Sequence, residues 1–164
     1  MIVLYPDARL ERVAVQRPVD DGLRDIGDRL LAAATAANAY GLAGVHIGAI
    51  APVIVISIDP DPARRDYAVL YNPAIESVAA ETAAGTEGSV SMPGIEVEIV
   101  RPVWADVSWD DGAGKPQARR FEGFPARVAQ HEIDQTNGVF FLSRLSRLKR
   151  DMVLKRWRKQ QPVA

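Results

Sequence analysis

The sequence predicts an α+β domain. Three observations carry this: a stretch of helical periodicity over residues 20 to 40, a series of short β-patterned segments between Pro52 and Phe121, and two further helical stretches after Pro125. Helix, strands, helix, helix is not the strict alternation that builds a parallel βαβ sheet. The chain of 164 residues has neither an internal repeat nor a linker-like segment, and residues 1–164 read as a single domain.

The first helix is announced by Asp20 and Asp21 after Pro18, an N-cap and a first-turn acid. Leu23, Ile26, Leu30, Ala34 and Ala37 then recur at helical spacing, with Gly41 placed to follow the C-terminus. Val53 to Ile56 is β-branched and compact, and Tyr67 to Tyr71 offers a second short strand. Ile95, Val97 and Ile99 alternate with Glu96 and Glu98, the pattern of a strand with one wet face. Val103 to Trp109 runs into the Asp111-Gly112 turn, and Arg119 to Phe121 returns from it. A second helix is expected from Pro125, which suits the first helical position, to Gly138, which suits the residue beyond the end. A third is expected from Leu148 to Gln160, with Leu148, Met152, Val153 and Trp157 as its buried side.

Composition excludes several chemistries. There is no cysteine, so disulfides, thiolate zinc sites and cysteine nucleophiles are ruled out. The two histidines, His46 and His131, are the whole supply for imidazole chemistry. The net charge of −1 conceals an asymmetry: from Ser143 onward there are eight Lys or Arg and one acid, against twelve bases and twenty acids before it. No apolar run is long enough for a bilayer, and the N-terminal residues lack a signal-peptide pattern, so cytoplasm is the expected location and no membrane partner is expected.

Gln130-His131-Glu132-Ile133-Asp134-Gln135 lies on the second helix. In a His-Glu-x-x-His zinc motif two imidazoles one turn apart bind the metal and the glutamate acts as base; here Gln135 takes the second histidine's place. Upstream lie Gly41-Leu42-Ala43-Gly44-Val45-His46-Ile47-Gly48 and Glu87-Gly88-Ser89-Val90-Ser91-Met92-Pro93-Gly94. In order and spacing these three segments resemble the motifs of peptide deformylases: Gly-Leu-Ala-Ala-x-Gln-x-Gly, Glu-Gly-Cys-Leu-Ser and His-Glu-x-Asp-His. Tyr5-Pro6-Asp7, Asn72-Pro73, Val100-Arg101-Pro102 and Leu145 to Arg150 extend the resemblance over nearly the whole chain.

The resemblance implies antiparallel sheets packed around a central helix that carries the His-Glu motif, with a C-terminal helix. It also implies the family reaction, metal-dependent hydrolysis of the formyl group from the N-terminal methionine of new polypeptides, with Fe, Ni or Zn as the ion. By the same resemblance the ligand positions are Ser89, His131 and Gln135, and Glu132 is the general base. His46 stands where the family's oxyanion glutamine is, and the Val90 N–H is the backbone donor beside it. Gly41, Leu42 and Arg101 belong to the cleft framework, while Tyr40, Phe124 and Val128 correspond to the pocket for the methionine side chain.

The departures fall at the reaction centre. Ser89 replaces a thiolate and Gln135 an imidazole, and both are poor ligands for a transition ion. A functional metal is therefore not expected, and Glu132 without one is a poor generator of hydroxide. The favoured reading is a deformylase-like protein without normal deformylase activity that keeps a cleft for an N-formyl-methionyl peptide or related small amide. Two alternatives keep an enzyme. One rebuilds a metal site from His46 and His131 with Glu132 or Ser89; the other uses Ser89 as a nucleophile activated by a histidine. Through Arg150, Lys155, Arg156, Arg158 and Lys159 the C-terminal helix resembles the segment by which deformylases approach the ribosome. No aromatic stacking pattern accompanies this basic stretch, and DNA is not an expected partner.

Overall fold

The computed structural model describes residues 1–163. Helix α1 spans Asp21–Ala37, and the Asp20 carboxylate accepts the Leu23 N–H at 2.8 Å, as an N-cap should. Its C-terminal cap is Asn38, in the left-handed region at φ 49°. Gly41 is therefore not the helix terminator; it opens strand β1, Gly41–Ala43. A side chain could not replace the glycine hydrogen there: a Cβ would lie 2.9 Å from both Glu132 Cγ and Val128 Cγ1.

Strands β2 (Val53–Ser57), β3 (Tyr67–Val78), β6 (Trp104–Asp110) and β7 (Pro116–Glu122) join β1 in an antiparallel sheet of order β1-β2-β3-β6-β7. Strand β3 continues well past Tyr71 because its second half pairs with β6, through irregularities near Asn72 and Glu76. A separate hairpin pairs β4 (Thr82–Gly88) with β5 (Glu96–Pro102) in unbroken register. The two sheets and three helices bear out the α+β prediction and its antiparallel sheets.

Side-chain alternation along β2 divides the core. Val53 and Val55 meet Leu23, Leu30 and Ala34 of α1 on one face of the sheet. Ile54 and Ile56 face the opposite way, into the cluster that holds Ala126, Ala129 and Ile133 of helix α2 (Gly123–Thr136) and Ile99 of the hairpin. Helix α2 is thus central, and every residue from Val128 to Thr136 is buried. It begins two residues before Pro125, and Gly138 follows its end at φ 76°, where a Cβ would strike the Glu11 carbonyl oxygen at 2.6 Å.

Helix α3 (Arg147–Gln160) seats Val153 and Trp157 in the main core. Leu148 and Met152 were expected beside them but stand 72% and 64% exposed, so the helix rests on its second half. Among the described residues no helix is long and apolar enough to cross a membrane.

Candidate active site

A cleft of about 870 Å3 opens between the hairpin, β1 and helix α2. Its lining brings together Tyr40 and Gly41 from the start of β1, His46 from the turn after it, Ser89 and Val90 at the end of β4, and Phe124, Val128, His131 and Glu132 from α2. Residues from three distant segments thus converge as the sequence reading expected. Three residues from its list stand elsewhere, Gln135 among them. Leu42 is fully buried in the α1 side of the core, and Arg101 lies beneath the floor.

Under the floor is a charge network. The buried Glu87 carboxylate accepts Arg101 Nε at 2.6 Å and Nη2 at 2.8 Å, Arg127 Nη1 at 2.8 Å, and His131 Nδ1 at 2.8 Å. Arg101 continues to Asp134 at 2.9 Å, and Arg144 closes on the same carboxylate at 2.6 Å. Burial alone would raise the Glu87 pKa, but the hydrogen bonds from His131 and Arg101 overcome it and hold it at about 2. Burial likewise opposes charge on His131, yet its bond to Glu87 and the nearby Glu132 charge outweigh that and raise its pKa. With Nδ1–H given to Glu87, the His131 Nε2 is the atom left toward the cleft, 3.9 Å from Glu132 Oε1.

The Glu132 carboxyl has an oxygen, Oε2, with no hydrogen-bond partner, and burial pushes its pKa up to about 7. His46 is held differently. The Ala43 N–H donates to its Nδ1 at 2.9 Å, so that nitrogen carries the lone pair and the proton sits on Nε2. Burial, helped by the charge on His131, lowers its pKa to about 3, which keeps the ring neutral. Its Nε2–H has no partner. To bind an ion through Nε2, the ring would have to move its proton to Nδ1, donor against the Ala43 donor. The tautomer opposes a rebuilt metal site at His46.

The remaining inherited positions have acquired other contacts. Gln135 does not line this cleft; its carboxamide Nε2 donates to the Leu10 carbonyl at 2.6 Å, and its buried Oε1 has no hydrogen-bond partner. Ser89 Oγ accepts the Ser91 N–H at 3.1 Å, and no hydrogen bond joins it to either histidine among the described residues. The three positions that would hold a deformylase ion thus present one imidazole, one neutral hydroxyl and one neutral amide outside the cleft lining. Among the described residues, no group of three or more His, Cys, Asp or Glu side chains is arranged to hold a metal.

Sequence reasoning missed part of the wall. Arg156 and Gln160, from the far end of α3, line the same cleft beside Gly94 and Glu96. By sequence Arg156 belongs with the basic residues of the ribosome-approaching segment. The contact that redirects it is its Nη2 donation to the Glu96 carbonyl at 3.2 Å, across a separation of 60 residues that leaves no local signal.

The model of the polypeptide deformylase family matches residues 1–151. The chain belongs to that family. A protein named peptide deformylase-like from Rhizobium meliloti (strain 1021) is 41% identical over 96% of this chain and 91% of its own length. The same organism has a protein named peptide deformylase that is 33% identical over the same shares of the two chains, 96% and 91%. Among solved structures, peptide deformylase from Ehrlichia chaffeensis superposes with a TM-score of 0.86 at 30% identity, covering 97% of this chain and 94% of that one. The fold expected from the motifs is therefore the fold observed.

Proposed function

We propose that this chain is a cytoplasmic deformylase-fold protein that binds an N-formyl-methionyl peptide or a related small amide and lacks normal metal-dependent deformylase activity. The observation that carries the reading is the orientation of Gln135. Residues 131 and 135 are one helical turn apart, the spacing of a paired metal ligand, yet the second is a neutral carboxamide outside the cleft lining, its Nε2 committed to the Leu10 carbonyl at 2.6 Å and its Oε1 without a partner. With Ser89 offering only a hydroxyl, a divalent ion would find one strong ligand in His131 and no resident metal is assigned.

Without an ion, water at the site keeps a pKa far above the reach of a carboxylate near 7. Glu132 alone does not make hydroxide at a useful rate. The binding half of the family's function is supported by what persists: the Val90 backbone N–H, the His46 Nε2–H as a neutral donor, and an aromatic wall of Tyr40 and Phe124 packed edge to face at 4.8 Å. The pair of named relatives within Rhizobium meliloti supports a branch separate from the enzyme, since this chain is 41% identical to the deformylase-like protein and 33% to the deformylase. The outer basic residues of α3, Arg150, Lys155, Arg158 and Lys159, are read as a contact for ribosomal RNA.

The test is turnover of a formyl-methionyl peptide by three samples: the wild type, the wild type reloaded with Ni or Fe, and a Ser89→Cys/Gln135→His/His46→Gln variant. The first two are expected to be inactive and free of stoichiometric metal. Wild-type turnover comparable to an authentic deformylase assayed alongside would overturn the proposal.

A further inference from the structure

The wall that α3 adds to the cleft carries a charge of its own. Arg156 and Gln160 are four residues apart and share a helical face, and both stand over the loop from Gly94 to Glu96. Beneath them Val153 and Trp157 fix the helix in the core, so this face is held in place. A Cβ on Gly94 would lie 3.5 Å from Gln160 Oε1, so the carboxamide rests close over the loop.

Arg127 and His131 line the cleft as well, and both are spoken for. Arg127 is tied to Glu87 and to the carbonyls of Ile99 and Ala83, and His131 is tied to Glu87. Arg156 has no carboxylate partner among the described residues, and the one hydrogen bond it makes, to the Glu96 carbonyl, leaves most of its five N–H donors unused. Glu96 lines the same cleft, and its bond to Arg156 is through the backbone carbonyl, so the guanidinium charge stays unneutralised by a side-chain partner. The same cleft holds the neutral His46 donor and the unpartnered Glu132 oxygen, groups suited to an amide.

Resting on the reading of the cleft as an acyl-amide pocket, we propose that its ligand is a short N-acyl peptide or N-acyl amino acid ending in a free carboxylate, held at that end by Arg156. The acyl amide faces His46 and Glu132, the first side chain lies against Tyr40 and Phe124, and the carboxylate meets the guanidinium in a charge-assisted pair. A volume of about 870 Å3 suits a ligand of that size, being within the roughly 300–1,000 Å3 of small-molecule pockets. A growing polypeptide has no free C-terminal carboxylate near its N-terminus, so Arg156 favours short finished acids over nascent chains.

The experiment is calorimetric titration of the full-length protein with an N-formyl-methionyl dipeptide, as the free acid and as its C-terminal primary amide. The acid is expected to bind the wild type about fivefold more tightly, the upper range for a partly solvated ion pair. Arg156→Gln is expected to remove that preference, so that acid and amide bind it alike. Arg158→Gln, an equal loss of charge roughly 200° around the helix, is expected to retain it. Equal binding of acid and amide by the wild type, or an acid preference that persists in Arg156→Gln, overturns the role of Arg156 while leaving the amide pocket standing. Failure of both peptides to bind removes the pocket reading and this inference with it.

Discussion

Replacing Glu87 with glutamine removes the one carboxylate shared by Arg101, Arg127 and His131. The carboxamide can accept on one side only. Its NH2 group must face either Arg101 Nε with Arg127 Nη1, or Arg101 Nη2 with His131 Nδ1, so donors meet a donor in a buried site either way. Two routes give a similar magnitude. Breaking a buried ion pair by losing one partner costs about 3–5 kcal/mol. Independently, a carboxyl held at about 2 in place of 4.5 stores roughly 3 kcal/mol, at 1.36 kcal/mol per unit. The group is only 4% exposed, which leaves little solvent screening to discount.

That is a large share of the roughly 5–15 kcal/mol that keeps a domain folded, yet Glu87→Gln should still be measurable by urea titration. A melting temperature about 10 °C lower is expected for a chain of this length. The pH dependence follows from the direction of the shift. Glu87 has a depressed pKa, so its contribution is fully present above 4.5 and is lost as pH falls toward about 2. His131 has a raised pKa, so its contribution is present below 6.5 and is lost as pH rises through the raised value. Wild-type stability should fall steeply between pH 4.5 and 2, whereas Glu87→Gln should be flatter there. A variant within 1 kcal/mol of wild type at pH 7, or parallel acid limbs, would refute the argument.

Gln135→Ala leaves the Leu10 carbonyl without its donor and is expected to cost about 2 kcal/mol by urea unfolding, with affinity for a formyl-methionyl peptide amide unchanged because the side chain is outside the cleft; loss of peptide binding in a folded variant would contradict that placement. Lys155→Glu/Arg158→Glu is expected to weaken co-sedimentation with ribosomes at least tenfold at low salt, with the wild-type interaction falling as salt rises. Unchanged sedimentation would separate the basic face from the ribosome.

How legible the chain was depended on how local each signal is. Asp20 announces α1 because an N-cap acts within its own turn, and β2 is legible because four β-branched residues in a row have few other uses. Strand β4 has no such voice. Thr82-Ala83-Ala84-Gly85 is small and mostly exposed, and it becomes a strand through its pairing with β5. Its Gly85 is demanded from outside, by the Arg127 guanidinium 2.7 Å from where a Cβ would be. In α3 the period was right and the phase was not: Trp157 and Val153 are captured by the core, leaving Leu148 and Met152 in solvent. The motif residues His46, Glu132 and His131 came together as read. The orientation of Gln135 was hidden because helical spacing assigns a face and leaves the rotamer open.

The departures from the family are coupled through the contacts that each position has acquired. Gln135 occupies the Leu10 carbonyl, Ser89 takes the Ser91 N–H, and His46 takes the Ala43 N–H in the tautomer least suited to a metal. Restoring a thiolate at position 89 alone adds a second strong ligand beside His131, one short of the three protein ligands of an open catalytic site. Restoring an imidazole at position 135 alone forfeits the bond to Leu10 and still leaves only two. Each single reversal therefore carries a structural cost before the site can return its benefit, whereas the combined reversal meets the ligand count. Residues acting as one unit are non-additive in this way. On the proposed reading of a site without a resident ion, the three side chains are kept by bonds that serve the fold, while Glu87 and Arg101 continue to hold His131 at the floor of the cleft.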